Sequence, residues 1–391
     1  MSRIAILGDG ITGKAVHEKC QECQIQVTDI NKANIIVTSP GIPKEDTPKT
    51  EKEILSEVEF AYRLLQLEER PPTLIGITGT NGKSTTTALV AHLLDCPVAG
   101  NIGVPLIQFV RKEPLVLSVE LSSYQLERCS LFTPNIAILL NLTEDHMARH
   151  KTMAQYSAEK AKLIQNMTSD QTIIYNPNDP HINQMVKTSS AKLIPCDPAE
   201  GILTHLTLPG QHNQINASCA VWAARAYGIS DDVITKRLQT FQGLPHRLEK
   251  VDQVNGRDLY NDSKATNTES TQIAVEAFKD PVHLILCGDD KGLNMDTLMR
   301  KIEKKVSSIS IYGGISERVF ALSKKINEHY PIQKVDALED ALSHCYSQSK
   351  EGDIILFSPS SSSFDHYRNF EARGECFREE VLKLKKREAL T

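Results

Sequence analysis

The chain has 391 residues, of which 40% are apolar and 24% charged, and its formal net charge is -5. That length predicts two or three domains, the acidic balance excludes a basic nucleic-acid surface, and no apolar run reaches membrane-spanning length. Nine cysteines, scattered and odd in number, do not form a disulfide framework.

The opening "MSRIAILGDG" runs straight into an apolar strand, so no signal peptide and a cytoplasmic location are expected. The strand leads into Gly8-Asp9-Gly10-Ile11-Thr12-Gly13, a full G-x-G-x-x-G. Glycines there permit a tight turn and close approach of a pyrophosphate to a helix N-terminus. A dinucleotide, another diphosphate-bearing ligand and a structural turn all fit this loop. Cys20 and Cys23 follow as a lone C-x-x-C, open to zinc or redox use or to an ordinary helical pair. Asp29 ends a second strand, "QIQVTD", and "NKANIIVTSPG" begins at once, which leaves no room for the helix of a normal mononucleotide-binding unit. A charged helix is expected over residues 50–70, stopped by Pro71-Pro72.

Next, "GITGTNGKSTTTAL" (76–89) places a glycine-rich turn between the strand "TLIGIT" and a helix. A Walker A loop would need glycine at 77, where Ile77 stands. The context is still that of a phosphate loop: Gly79 and Gly82 would present backbone amides, Lys83 would reach the outer phosphates, and the Ser84 hydroxyl would suit Mg²⁺. A solvated turn is the plainer alternative. Glu120, at the end of "LVLSVE", is either a Mg²⁺ ligand or a residue that starts a helix. "NLTEDHMARH" clusters Thr143, Glu144, Asp145 and His146 beyond "NIAILL", so three strands place polar groups on one rim. His146 is open to metal ligation or to a structural role.

The remaining runs, "TIIYN", "VHLILCG", "SISIYGG" and "DIILFSP", complete a pattern of short apolar strands alternating with helices, the signature of parallel α/β sheets. Their ends carry "YNDSKATN" (260–267), "CGDDKG" (287–292) and "LFSPSSSSFDHYRNFEARGE" (356–375), whose cationic and hydroxyl groups would suit a small acidic substrate. Seams at Pro71-Pro72 and in "FQGLPHRLEKV" (241–251) divide the chain into units 1–71, 72–243 and 244–391.

Together these motifs resemble the Mur ligase family, the ATP-dependent amide-forming enzymes of peptidoglycan precursor synthesis. That family's ATP loop is the short T-G-T-N-G-K-[ST], matched by Thr78 to Ser84. "ELSSYQLE", "LPGQHNQINA", "LPHRLE", "NDSKATN" and "SPSSSSFDHYRNFEARGE" carry the likeness across residues 8 to 376. The resemblance implies an α/β fold of three domains: a Rossmann-like N-terminal domain (1–71, abridged), a central P-loop ATPase-like parallel-sheet domain (72–243) and a Rossmann-like α/β C-terminal domain (244–391).

It also implies roles. Gly79, Thr80, Asn81, Gly82, Lys83, Ser84 and Thr85 would bind ATP, joined by Asn216, Arg247 and Asp262. Ser84 and Glu120 would hold one Mg²⁺; His146 would hold a second with a CO₂-derived carbamate on Lys160, placed by its spacing from Tyr156. Lys83, Glu120, His146 and Lys160 form the expected catalytic set. Thr12, Asp29, Asn101, Ser122 and Gln125 match contacts to a UDP-muramoyl substrate, which makes the first loop a UDP-sugar site. Lys264, Thr266, Lys291, Ser363 and Phe370 match contacts to D-glutamate. The implied reaction adds D-glutamate to UDP-N-acetylmuramoyl-L-alanine through an acyl phosphate. Its partners would be small molecules only, with no nucleic acid or membrane, and the chain a monomer that closes about the "FQGLP" seam. A ligase for another amino acid, such as folylpolyglutamate synthase, and a non-catalytic UDP-sugar sensor are the alternatives. The chain departs from the family in its short segment after Asp29, in a metal loop one residue shorter between His146 and Lys160, and in the uniform run Ser360 to Ser363.

Overall fold

The computed structural model describes residues 3–196, 201–206 and 208–390. Sixteen strands among them form three sheets. The first contains β1 (Arg3–Leu7), β2 (Gln26–Val27), β3 (Ile35–Thr38) and β4 (Glu53–Ser56) in the order β2-β1-β3-β4. The second contains β5 (Thr73–Thr78), β6 (Val98–Gly100), β7 (Val116–Glu120), β8 (Ile136–Leu139), β9 (Thr172–Tyr175) and β10 (Lys192–Pro195) in the order β10-β9-β8-β5-β7-β6. Every pairing in both is parallel. The third contains β11 (Glu249–Val254), β12 (Arg257–Asn261), β13 (Val282–Cys287), β14 (Val306–Tyr312), β15 (Ile332–Lys334) and β16 (Ile354–Ser360) in the order β11-β12-β16-β13-β14-β15, parallel except for the β11–β12 hairpin. This is an α/β architecture. Ile136 to Leu139 of β8 and Val282 to Cys287 of β13 are buried throughout, as strands covered by helices on both faces must be.

Two expected elements come out differently. The region 50–70 is not one helix: Glu53–Ser56 pairs in parallel with β3, and the helix is Glu57–Leu65. Ser56 decides the break, because its Oγ accepts from the Glu59 amide at 3.2 Å and caps the helix there. The strand "QIQVTD" is reduced to Gln26–Val27, and no helix lies between it and β3 among the described residues. That agrees with the missing helix read after Asp29.

The chain divides into two compact units, one running to residue 207 and taking in 212–241, the other made of 208–211 and 242–391. Within the first unit the first and second sheets share one hydrophobic core, in which Leu55, Val58, Phe60 and Leu65 pack with Leu106, Ile107 and Phe132, and buried charges add to that packing. Glu59, fully buried, accepts the backbone N–H groups of Ser130, Leu131 and Phe132 at 2.9–3.2 Å while Arg63 Nε donates to it at 2.9 Å. Buried Lys19 donates to the Val110 carbonyl at 3.0 Å. These bonds fasten the first sheet's helices to the second sheet. Glu59→Ala would strand three buried backbone donors, and is expected to cost about 3–5 kcal/mol. Urea denaturation measures it; an unchanged midpoint would contradict this role.

Glu57, at the start of the same helix, is also buried, with Oε1 accepting from Ile107 N at 2.6 Å. Burial pushes its carboxyl up to about 7. Because the folded pKa lies above the unfolded one, the unfolded chain releases this proton first, and stability falls as pH rises from the ordinary carboxylate range through about 7. Glu57→Gln keeps the acceptor and removes the titration. The variant is expected to match the parent at pH 5 and exceed it at pH 8 by on the order of 2 kcal/mol. Equal differences at both pH values would show that Glu57 does not carry this dependence.

Candidate active site

The central strands β5, β7 and β8 are neighbours, so their carboxyl ends bring three loops together, as the switch point of an open α/β sheet requires. After β5, the turn 79–82 feeds the helix Lys83–Leu94. Gly82 caps that helix at φ 84°, and a Cβ there would lie 2.4 Å from Asn216 Oδ1. Backbone conformation and the Asn216 side chain therefore both require glycine. Asn216 reaches the loop from the helix Gln211–Tyr227.

From the end of β8, Asn141 pins the same turn. Its carbonyl accepts from Thr80 N at 2.9 Å, its Oδ1 accepts from Asn81 N at 2.8 Å, and its Nδ2 donates to Asn81 O at 3.0 Å. Sequence reasoning passed over Asn141, although its position at the end of an apolar strand, in "NLTEDH", was a signal. Thr80 Oγ1 adds bonds to the Thr143 backbone at 3.0 and 3.1 Å and lies 3.2 Å from Tyr156 Oη. Ser84 and Thr85 are buried in the first helical turn.

Two lysines converge on one carbonyl. Lys83 Nζ donates to Gly79 O at 3.0 Å and Thr80 O at 2.7 Å; Lys160 Nζ donates to Gly79 O at 2.8 Å and to Thr78 Oγ1 at 3.4 Å. Lys160, on the helix Met153–Ala161, is 1% exposed and stands 4.7 Å from the centre of the Tyr156 ring. Burial first, then the Lys83 charge, holds its pKa well below the usual lysine value, against the opposing pull of Asp145 and Glu120. The shift is toward the neutral amine, the form that takes up CO₂.

Glu120 ends β7 fully buried. Its Oε1 accepts from Asn101 Nδ2 at 2.7 Å, while Oε2 has no hydrogen-bond partner. A buried carboxylate oxygen without a donor fits a cation. His146, in the left-handed region at φ 56°, lies 4.9 Å from the Tyr124 ring and 3.4 Å from Asp145 Oδ2. Burial lowers its pKa, leaving the neutral imidazole that a metal needs. Among the described residues no three His, Cys, Asp or Glu side chains gather for a metal.

The candidate UDP-substrate residues are placed less uniformly. Asn101 contacts Glu120 as described. Ser122 and Gln125 bond to each other: Ser122 Oγ donates to Gln125 Oε1 at 2.9 Å and accepts from Gln125 N at 3.3 Å, a capping box for the helix Ser123–Leu126. Thr12 lies in the first turn of the helix Ile11–Glu22, and Asp29 is exposed, accepting from Asn31 N at 2.9 Å. A Cβ on Gly13 would fall 1.8 Å from Gly8 O, so glycine there lets the helix pack closely against the turn that follows the strand. Cys20 is buried in that helix with its thiol pushed up to about 12, and Cys23 caps it.

In the second unit, β12, β16 and β13 are adjacent, and their ends gather "NDSK", "SSSS" and "CGDDKG". Arg373, fully buried, ties two of these loops: Nε and Nη2 donate to Ser263 Oγ and O at 3.1 and 2.8 Å, and Nη1 to Ser361 O at 2.9 Å. Sequence reasoning left Arg373 out, although it stands inside the quoted "NFEARGE". Lys264 Nζ lies 5.4 Å from the Phe370 ring and Lys291 Nζ 5.3 Å from that of Phe364. Thr266 is exposed and Ser363 buried. Asp262 faces inward, accepting from Ser358 Oγ at 2.8 Å and Leu248 N at 3.1 Å; burial pushes its carboxyl up to about 7. Arg247 is half-buried.

Residues 77–197 match the Mur ligase middle domain, and 246–361 match the Mur ligase glutamate ligase domain. The chain belongs to the Mur ligase family. Within it, a protein named UDP-N-acetylmuramoylalanine--D-glutamate ligase from Thermoanaerobacter sp. (strain X514) is 36% identical, over 90% of this chain and 85% of that one. Another of that name, from Clostridioides difficile, is 35% identical over 91% and 86%. Among solved structures, the MurF ligase of Thermotoga maritima in complex with ADP shares the fold with a TM-score of 0.64 at 16% identity, over 97% of this chain and 95% of that one. Folylpolyglutamate synthase of Mycobacterium tuberculosis complexed with ADP gives 0.63 at 14%, over 82% and 94%.

Proposed function

We propose that this chain is an ATP-dependent ligase that joins D-glutamate to UDP-N-acetylmuramoyl-L-alanine in peptidoglycan precursor synthesis. The observation that supports it most is the meeting of Lys83 and a buried Lys160, whose pKa is lowered, on the Gly79 carbonyl at the phosphate loop. The choice of D-glutamate rests on relatives of that name.

A carboxylate is a poor electrophile at neutral pH, so the L-alanine carboxylate first attacks the γ-phosphorus of ATP, and ADP leaves. The D-glutamate amine then adds to the acyl phosphate, and the tetrahedral adduct collapses to the amide with loss of phosphate. Lys83 would exchange its loop carbonyls for phosphate oxygens, offsetting charge as phosphate passes between acceptors. The loop amides and the Ser84 hydroxyl would orient the triphosphate, with Asn216, Arg247 and Asp262 on the ATP side. Thr12, Asp29, Asn101, Ser122 and Gln125 would hold the UDP-sugar, and Lys264, Thr266, Lys291, Ser363 and Phe370 the D-glutamate. Ser84, Glu120, His146 and a carbamylated Lys160 would hold two Mg²⁺ ions, which when bound supply positive charge to the phosphate oxygens. The domains are proposed as 1–71, 72–243 and 244–391, and the enzyme as a cytoplasmic monomer. No helix among the described residues is long and apolar enough to cross a membrane.

The test is ADP release with UDP-N-acetylmuramoyl-L-alanine and ATP, comparing D-glutamate with L-glutamate, D-alanine, L-lysine and diaminopimelate. Release is expected with D-glutamate. Dependence on another of these would reject the specificity, and no release with any would favour a UDP-sugar-binding protein without turnover.

A further inference from the structure

Cys196 and Cys219 are the feature the proposed reaction does not use. Cys196 directly follows β10, where its N–H donates to Tyr175 O at 2.8 Å, and Cys219 lies on the helix Gln211–Tyr227. Both are buried, at 1% and 0% exposure, yet their sulfurs stand 2.7 Å apart. Two unbonded sulfurs do not rest that close, and a bonded pair lies at about 2.05 Å. The fold therefore already brings these two free thiols within reach of each other.

We propose that Cys196 and Cys219 form a reversible disulfide that ties the edge of the second sheet to the helix carrying Asn216. Asn216 precedes Cys219 by one helical turn and abuts Gly82 of the phosphate loop, so the cross-link fixes the turn that meets that loop. The chemistry balances with a small-molecule disulfide as oxidant. One cysteine thiolate attacks the oxidant's S–S bond, forming a mixed disulfide and releasing one thiolate. The second cysteine then attacks the mixed disulfide and releases the other thiolate. The two cysteine protons end on the two released thiols, two cysteine sulfurs are oxidised and one disulfide is reduced. In a reducing compartment the dithiol is the resting form and the cross-link a response to oxidation. Since both thiols are buried, exchange proceeds through local opening and is slow.

Trp222, the chain's single tryptophan, sits one turn beyond Cys219 on the same helix and reports on it. The full chain would be incubated with oxidised glutathione, alkylated under denaturing conditions and mapped by mass spectrometry. A Cys196–Cys219 cross-linked peptide lacking two hydrogen atoms is expected. With it should come a change in Trp222 fluorescence and a rise in Tm of roughly 3–8 °C, both reversed by dithiothreitol. Cys196→Ser should abolish the cross-link, the fluorescence change and the Tm rise, whereas Cys20→Ser should preserve all three. Recovery of both cysteines as free thiols or glutathione adducts from the oxidised, folded parent would overturn the proposal without reference to any variant. So would a fluorescence response that persists in Cys196→Ser.

Discussion

Lys160→Ala is expected to lower turnover by about a thousandfold or more, the scale lost when a preorganised charge-stabilising group is removed from a closed site. Lys160 is buried, and its amine is bonded to Gly79 O and Thr78 Oγ1. Burial and the neighbouring Lys83 charge favour the neutral form. A lysine kept only for packing would be replaced by methionine with little loss. The proposed role predicts the opposite: Lys160→Met should fold and bind ATP, yet be as inactive as the alanine variant, because it offers no oxygen ligand. In Lys160→Ala, where the removed side chain leaves space, a short carboxylic acid should restore part of the rate. Full activity in either variant would remove Lys160 from the mechanism.

Gly82→Ala should weaken ATP binding most. The residue adopts φ 84°, and the added methyl would lie 2.4 Å from Asn216 Oδ1, so both the turn and the asparagine must shift. Left-handed strain of about 1–2 kcal/mol combines with the displaced side chain. The expected result is an ATP KM raised roughly 30- to 100-fold, together with a Tm lowered by a few degrees, since the strain is already present in the ligand-free fold. Gly41→Ala is the control, as nothing lies within 4 Å of the place its methyl would take. Equal ATP affinity in Gly82→Ala and parent would mean that the loop does not hold the nucleotide.

What could be read from the sequence was mostly steric. Glycine positions in the two loops are dictated by close approach, as the 1.8 Å gap between a Gly13 methyl and Gly8 O shows. Apolar runs such as "IAIL" and "VHLILC" are strands because parallel sheets bury both faces. What could not be read depends on partners distant in sequence. "EILS" has a helix former's composition, and its pairing with β3 makes it a strand. Glu59 reads as a surface charge until the amides of residues 130–132 surround it. Asn141 and Arg373 were visible as letters, but their roles come from the loops they tie. Ser122 and Gln125 were assigned only to a UDP-sugar contact, and their S-x-x-Q spacing, a capping signature, went unread.

The central claim is that ATP activates the L-alanine carboxylate for attack by D-glutamate. It is tested by supplying UDP-N-acetylmuramoyl-L-alanine labelled with ¹⁸O in that carboxylate, together with ATP, Mg²⁺ and D-glutamate, and analysing both products by mass spectrometry. The account predicts a UDP-sugar product extended by one D-glutamate and inorganic phosphate carrying one ¹⁸O atom. Extended product accompanied by unlabelled phosphate, or ADP release without extension, would contradict it.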